Sequence, residues 1–133
     1  MRYMLIIYVD PDMLNELPDG EEDRMMRDCL THADELKAAG TLLESRMLAT
    51  PDTAKAVRVR NRKLSSVDGP FAETKEVLGG FNIIEAADMD EAVRIASEFP
   101  WARTGCVEVR PVQDFDVVRR RVGLGQTMAG GTG

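Results

Sequence analysis

The sequence predicts one α+β domain of the split βαβ kind, and three observations carry this prediction. The chain has 133 residues, which is enough for one hydrophobic core but too few for two independent cores. Apolar residues make up 44% of the chain and charged residues 30%, as in an ordinary folded globular protein. Segments of two-residue and helical period follow in the order strand, helix, strand, hairpin, strand, helix, strand.

The first third of the chain predicts a strand, a helix and a second strand. Residues 1–9 are apolar at nearly every position, as in a central strand that is covered on both faces. A helix follows, because Asp19 and Glu22 have the spacing of a capping box and Gly40 suits the residue after a helix. Residues 41–48 alternate as in a strand.

The middle of the chain predicts a hairpin and a bulged strand. Residues 55–67 alternate on both sides of the polar pair Asn61-Arg62, which is typical of a β-hairpin. Residues 77–86 read as a buried strand, in which Gly79-Gly80 indicates a bulge or a close backbone approach. The hairpin is therefore an insertion into the split βαβ plan.

A second helix and a last strand complete the predicted domain. Asp88 and Glu91 have capping-box spacing, Pro100 ends the helix, and residues 105–112 form the strand. In this plan both helices cover one face of an antiparallel sheet, and the other face has no cover within the monomer. Because the strands are apolar on both faces, we expect a homodimer.

Charge and composition exclude several classes of partner. The net charge of −6 weighs against direct binding of nucleic acid, which requires a concentrated positive surface. No apolar stretch reaches the length of a membrane helix, and no signal peptide is recognisable, so we expect a cytoplasmic protein that does not bind membranes. Cys29 and Cys106 are too few for a disulfide framework, and we expect both in the core.

Three segments of the sequence resemble the YCII-related superfamily, specifically its DGPF branch. They are YMLIIY at residues 3–8, VDGPFAETKEVLGGF at residues 67–81 and VEVRPV at residues 107–112. The resemblance covers roughly residues 1–115, and we expect residues 116–133 to form a partly flexible tail. The resemblance implies a ferredoxin-like fold and a dimeric α/β barrel with a ligand or active-site cleft. The family has no settled activity.

The resemblance does not transfer a catalytic pair to this chain. In the better known branch of the superfamily, a histidine and an aspartate in the cleft have been proposed as catalytic. Their positions fall on Cys29 and Phe99 here, while the single histidine, His32, lies one turn after Cys29. We expect no cofactor, and one histidine with scattered carboxylates offers no recognisable metal-ligand spacing.

Two candidate acid–base residues belong to the DGPF segment. Asp68 begins a turn in which Pro70 fixes φ, so the turn either presents the carboxylate to a cleft or is purely structural. Glu73 lies two residues before Lys75. Its carboxylate either acts as an acid or base, or it fixes the loop by accepting hydrogen bonds from backbone N–H groups.

His32 is the third candidate catalytic residue. Asp28 and Glu35 lie within one helical turn of it, so it forms either a surface ion pair or a cleft acid–base group. It also lies three residues after Cys29, which is either a core residue or a nucleophile that His32 activates.

Arg46, Lys75 and Phe71 are candidate ligand-binding residues. Arg46 follows Glu44 by two positions on a strand, so it either joins an interfacial salt bridge or binds a small anion through its guanidinium fork. Lys75 and Phe71 belong to the DGPF segment and offer a cation and an aromatic ring to a polar ligand.

Two functions remain open at this point. The first is a dimer whose clefts bind a small polar molecule, with or without acid–base catalysis. The second is a regulatory protein, since DGPF-type proteins resemble partners of extracytoplasmic-function sigma factors, and residues 114–121 would then dock the partner.

Overall fold

The computed structural model of this chain describes residues 1–68 and 75–126. Two short 3-10 turns, Pro51–Thr53 and Pro100–Arg103, accompany the main elements. The helices and strands in chain order are β1 (Arg2–Val9), α1 (Pro11–Asn15), α2 (Glu21–Ala38), β2 (Leu42–Met47), β3 (Lys55–Arg60), β4 (Lys63–Asp68), β5 (Val77–Glu85), α3 (Met89–Ser97), β6 (Gly105–Pro111) and α4 (Phe115–Arg121).

Four strands form an antiparallel sheet in the order β2-β5-β1-β6, and β3 and β4 form a separate two-stranded sheet. β1 lies inside the larger sheet and pairs with β5 on one side and β6 on the other. The predicted α+β class, the predicted hairpin and the central position of β1 are confirmed. In the part of the chain that the structure describes, neither sheet closes into a barrel.

One face of the larger sheet forms the core with the helices. Tyr3 and Leu5 of β1 are buried there, and Ile84 pairs with Tyr3 across the strands. Side chains from α3 and the segment after it complete the cluster. The buried residues are Tyr3, Leu5, Leu42, Ile84, Ala86, Ala92, Ile95, Ala96 and Phe99, against which Cys29, Ala33, Leu36, Val107 and Val109 pack.

The opposite face of this sheet, here called the open face, is also apolar at its centre. Met4 and Ile6 of β1 alternate with the core residues, and they pair with Ile83 and Phe81 of β5. All four side chains are only partly buried, and none belongs to the core cluster. The helices therefore cover one face of the sheet, as the split βαβ plan requires.

The two predicted capping boxes had different outcomes. The backbone N–H of Glu91 donates to Asp88 Oδ1 at 2.9 Å, which confirms the cap of α3. The predicted cap of α2 by Asp19 is wrong, because α2 begins after Gly20, which has φ +83° and no side-chain cap. A turn in which Glu21 N donates to the Pro18 carbonyl precedes α2, so Asp19 lies before the cap position.

Two glycines shape strand β5 as predicted. Ile7 pairs with Gly80 and Tyr8 with Leu78, so Gly79 forms a bulge in β5. A Cβ at Gly80 would lie 2.6 Å from the Arg46 carbonyl oxygen, which explains the need for glycine at this close approach.

Two short helices were not predicted. α1 and α4 span five and seven residues, which is too short for a helical period to show in the sequence. Asp10 and Asp114 cap them by accepting backbone N–H groups of the first turn. α4 lies largely in the expected tail, whose end at residues 127–133 falls outside the described residues. No helix within residues 1–68 and 75–126 has the length and apolarity needed to span a bilayer.

We predict that Gly105→Ala destabilises the protein by about 1–3 kcal/mol. A Cβ at Gly105 would overlap the carbonyl oxygen of Tyr8 on the paired strand, so β1 and β6 would have to separate. Gly125→Ala is the matched control, because a Cβ there meets no atom within 4 Å. Urea denaturation measures both, and an equal midpoint for the two variants would contradict the prediction.

Candidate functional site

An open groove with a volume of about 690 Å³ lies where β1 ends and β6 begins. Strand pairing explains its position, since Tyr8 pairs with Cys106 and Val9 pairs with both Gly105 and Val77. The residues that line it are Tyr8, Asp10, Lys75, Glu76 and Cys106.

Asp10 is the most deeply buried charged group in this groove. Its side chain is 4% exposed, and its Oδ1 accepts the backbone N–H groups of Asp12 at 3.0 Å and Met13 at 3.4 Å. Its Oδ2 faces Lys75 Nζ at 3.8 Å, which is an ion-pair distance but longer than a hydrogen bond. Two backbone donors and one ammonium group therefore compensate the buried carboxylate.

Asp10 is a site residue that the sequence analysis missed. Its only signal was the pair Asp10-Pro11, because aspartate favours the N-cap and proline the first helical position. That signal indicates a helix start and contains no information about a groove.

Tyr8 and Glu108 form a hydrogen-bonded pair next to the groove. Tyr8 Oη donates to Glu108 Oε1 at 3.2 Å, and Arg110 Nε lies 3.7 Å from Glu108 Oε2. The hydrogen bond to Glu108 raises the pKa of the Tyr8 phenol, and partial burial and the carboxylate charge raise it further. Tyr8 is therefore held in its protonated form and serves as a hydrogen donor.

The two cysteines occupy different environments. Cys106 is exposed at the groove, so its predicted core position is wrong, because it lies on the open face of the edge strand β6. Cys29 is half-buried and its Sγ accepts a hydrogen bond from Trp101 Nε1 at 3.2 Å. Burial raises the pKa of the Cys29 thiol despite this bond, which opposes the nucleophile interpretation.

His32 lies in a different part of the molecule. Its Nε2 is 3.0 Å from Glu98 Oε2, but the two groups are not aligned as a hydrogen bond. Its ring packs edge-on against Phe99 with 5.0 Å between centroids. The carboxylate next to His32 thus comes from the end of α3, whereas Asp28 and Glu35 were expected from its own helix. His32 does not line the groove.

Arg46 and Asp68 also lie outside the groove lining. Arg46 Nη2 is 3.2 Å from Glu44 Oε1, so the two residues form a salt bridge within the chain, and both line a depression of about 300 Å³ along β2. The interfacial role of this pair stays a prediction. Asp68 is largely exposed at the end of β4, where its Oδ1 lies 3.6 Å from Lys55 Nζ.

Of the six candidate site residues, Lys75 lines the groove. Phe71 and Glu73 fall outside the described residues, and the structure does not bring His32, Arg46 and Asp68 together. The roles of these residues stay predictions. Among the described residues, no cluster of three or more histidine, cysteine, aspartate or glutamate side chains is arranged to hold a metal ion.

The chain is similar to a known family over most of its length. The family model of the YCII-related domain matches residues 1–116. The chain belongs to the YCII-related family. An uncharacterised protein of Rhizobium meliloti (strain 1021), R00369, is 35% identical over 114 residues, which are 84% of this chain and 92% of that protein. The family resemblance that the sequence analysis identified is therefore confirmed.

We predict that Glu108→Gln lowers the pKa of Tyr8 in this YCII-related protein. The substitution removes the negative charge that holds the phenol proton, so the phenol ionises at lower pH. Ultraviolet absorbance of the phenolate, followed during titration in a Tyr3→Phe background, measures this pKa. Glu44→Gln on the opposite edge of the sheet is the control, and an unchanged Tyr8 pKa in Glu108→Gln would refute the assignment.

Proposed function

We propose that this YCII-related protein binds a small polar molecule in the groove at the end of β1, with Asp10 as its anchor. The supporting observation is a carboxylate that is 4% exposed and whose Oδ2 has, among residues 1–68 and 75–126, no ion-pair or hydrogen-bond partner closer than Lys75 Nζ at 3.8 Å. Burying a carboxylate is costly unless its oxygens are bonded, so a ligand donor would complete this site.

The chemistry of the lining defines the proposed ligand. Asp10 and Glu76 provide two carboxylates and Lys75 provides one ammonium group, so the groove favours molecules with hydroxyl or amine donors over simple anions. The phenol of Tyr8 donates its one proton to Glu108, so its oxygen is an acceptor for ligand hydroxyl or amine groups at the same surface. If the protein is an enzyme, Asp10 is the proposed positioning carboxylate.

Two residues of the DGPF segment remain proposed members of this site. Residues 69–74 connect Asp68 to Lys75, which lines the groove. Phe71 and Glu73 are four and two positions from Lys75, within reach of an extended chain at roughly 3.4 Å per residue. His32, Arg46 and Asp68 keep their proposed roles, but no contact of the described residues supports a place at this groove.

We further propose a ferredoxin-like fold that assembles as a homodimer through the open face. The sheet order β2-β5-β1-β6 and the helices on one face support the fold assignment. Met4, Ile6, Phe81 and Ile83 form an apolar centre on the uncovered face, which a second copy would shield from water. In the family, such face-to-face packing corresponds to the dimeric α/β barrel.

A regulatory function is the second candidate, and α4 favours it. Phe115 and Val117 are exposed on this helix, and Val122 and Leu124 are exposed just after it. Arg119–Arg121 provide positive charge beside these apolar side chains. This combination fits a protein partner such as a sigma factor, and loss of a copurifying partner upon Phe115→Asp would test it.

We predict that Asp10→Asn weakens ligand binding by roughly 10- to 150-fold while the fold is kept. The amide retains the cap of α1 but removes a charge-assisted bond worth about 1.5–3 kcal/mol. Calorimetry with a hydroxyl or amine compound found by fragment screening measures the affinity. Asp88→Asn is the matched control, because Asp88 caps α3 away from the groove.

An affinity that is equal in the wild type and Asp10→Asn would rule out Asp10 as the anchor. If Glu73→Gln or Asp68→Asn weakened binding instead, the site would belong to the DGPF segment. If no compound bound while Phe115→Asp released a protein partner, the regulatory function would replace ligand binding.

We predict a mass of twice 14.7 kDa by light scattering at micromolar concentration, and a monomer for Ile6→Asp. The aspartate places a charge at the apolar centre of the open face, where a second copy would bury it. Val93→Asp on the exposed side of α3 should remain dimeric. A wild-type mass near 14.7 kDa would reject the dimer.

A further inference from the structure

The strand register orders the side chains of the open face in rows that run from β2 through β5 and β1 to β6. The two central rows are Glu44, Ile83, Met4 and Arg110, and then Arg46, Phe81, Ile6 and Glu108. Each row is apolar in the middle and has opposite charges at its two ends. The order of the charges reverses from one row to the next, so positive and negative charges alternate around the apolar centre.

A third charged pair lies in the row next to Met4 and Ile83. Arg2 pairs with Glu85 across β1 and β5, and both residues are two positions from the central row. The six charged side chains of these rows are 37–69% exposed. Their charges cancel, so this surface favours neither a polycation nor a polyanion. It fits a surface that carries the same charges in complementary order.

A second copy of the open face has this complementary order. A two-fold axis that lies between two facing sheets, parallel to their strands, keeps the rows and exchanges left with right. β2 of one copy then lies over β6 of the other, and β5 lies over β1. The facing pairs would be Glu44 with the partner's Arg110, Arg46 with the partner's Glu108, and Glu85 with the partner's Arg2. Every charge of these rows meets an opposite charge, and the two apolar centres meet each other.

A two-fold axis across the strands is less favourable. It also pairs the charges of the two central rows, but it reverses the order of the rows. Arg2 and Glu85 would then face the row of Tyr8 and Leu78 at the other end of the sheet. Two neutral side chains would remove these charges from water without a new charged partner, which is costly. The charge pattern therefore favours the axis parallel to the strands.

The groove lies at one end of the same face. Tyr8 pairs with Leu78 on one side and Cys106 on the other, and Tyr8 and Cys106 line the groove. The axis parallel to the strands places the partner's Leu78 over Tyr8. Leu78 is 45% exposed in the single chain, so this contact would bury apolar surface. Binding pockets enclose most of a small ligand, whereas the groove of one copy is open.

We propose that two copies pack face to face about a two-fold axis parallel to β1, and that Leu78 of each copy closes the groove of the other. Facing sheets lie about 10 Å apart, a distance that an arginine and a glutamate span together. Aligned sheets differ in strand direction by about 30°, which moves the charged side chains by about 4–5 Å, within the reach of an arginine. This arrangement rests on the homodimer and the ligand groove proposed above, and adds to them the axis of the dimer and a partner residue at the site.

Sedimentation of charge-reversal variants tests the axis. We expect Arg46→Glu to raise the dimer dissociation constant by about tenfold or more, because two carboxylates would then face each other across the interface. Adding Glu108→Arg to this variant should restore the dimer, since opposite charges face each other again. The double variant loses the salt bridges that Glu44–Arg46 and Glu108–Arg110 form within one chain, so these bridges cannot explain a restored dimer.

The matched control is Glu44→Arg combined with Arg46→Glu. It keeps a salt bridge within β2 but places like charges against β6 of the partner at both positions. We expect this dimer to be weaker than that of Arg46→Glu alone. A dimer restored here, but not in Arg46→Glu with Glu108→Arg, would overturn the proposed axis in favour of the axis across the strands. Equal dissociation constants in the wild type and all of these variants would overturn the charge pairing.

Photocrosslinking locates Leu78 without any change of charge. A benzophenone amino acid replaces Leu78, which is 45% exposed, and in the control it replaces Val93 of α3, which is 49% exposed. We expect a covalent dimer from the Leu78 position and none from Val93. In a mixture of ¹⁵N-labelled and unlabelled chains, the crosslinked peptide of the other copy should come from the end of β1 that contains Tyr8. A peptide from the end of β5 that contains Glu85 would overturn the proposed axis.

Alkylation of Cys106 by iodoacetamide measures closure of the groove. Mass spectrometry of the Cys106 peptide follows this reaction separately from that of Cys29. We expect slow alkylation in the dimer, and a loss of this protection in the Ile6→Asp monomer and in wild-type protein diluted below its dissociation constant. Leu78→Ala should raise the rate in the dimer but leave it unchanged in the Ile6→Asp background, where no partner is present.

The outcomes separate the closed groove from the proposals on which it rests. An alkylation rate of Cys106 that is equal in the dimer and in the Ile6→Asp monomer would overturn the closure and keep the dimer. A ligand affinity that depends on Asp10 but is equal in these two proteins would also remove the partner from the site and keep ligand binding. Protection of Cys106 in a dimer that binds no ligand would reject the proposed function and support the arrangement of the two copies.

Discussion

The rest of this structure depends on the position of β1 between two antiparallel neighbours. Because β1 is paired along both edges, its side chains alternate strictly between the two faces of the sheet. Tyr3 and Leu5 enter the core, while Met4 and Ile6 reach the open face. A shift of one residue would exchange these two sets, so the pairing with β5 and β6 determines both the core and the surface left for a partner.

The same strand determines the groove. Where β1 ends, Asp10 N donates to the Thr104 carbonyl, and the side chain of Asp10 begins α1. The carboxylate is thus fixed by backbone contacts on both sides before any ligand is present. Preorganised charges of this kind bind more strongly than mobile surface charges because little ordering is needed. Lys75 reaches the carboxylate because β5 begins beside the end of β1.

Most of the fold could be predicted from the sequence, because long elements repeat their pattern several times. β1, β5 and the Asp88 cap are examples, and the Asn61-Arg62 turn was identified by its polar residues between two alternating runs. The failures are local. Asp19 had the spacing of a cap, but the positive φ of Gly20 moved the helix start, and spacing alone does not reveal φ.

The site was harder to predict because its residues are distant in sequence. Lys75 was a candidate, but Asp10, Tyr8 and Cys106 meet it only through the order of the strands. Cysteine is a residue type that is usually buried, but Cys106 lies exposed on an edge strand. Burial at such positions depends on what covers the sheet, which a single sequence does not encode in a local pattern.

Trp101 gives the molecule a built-in optical reporter. It is the chain's single tryptophan, it is buried, and its indole N–H donates to Cys29 on α2. The fluorescence of Trp101 therefore reports on the contact between α2 and the turn after α3. The lining of the groove contains Tyr8 and no indole, so the signal of the groove comes from this phenol. Undocking of α2 and a change in the environment of Tyr8 at the groove consequently have separate spectral signatures in one unmodified chain.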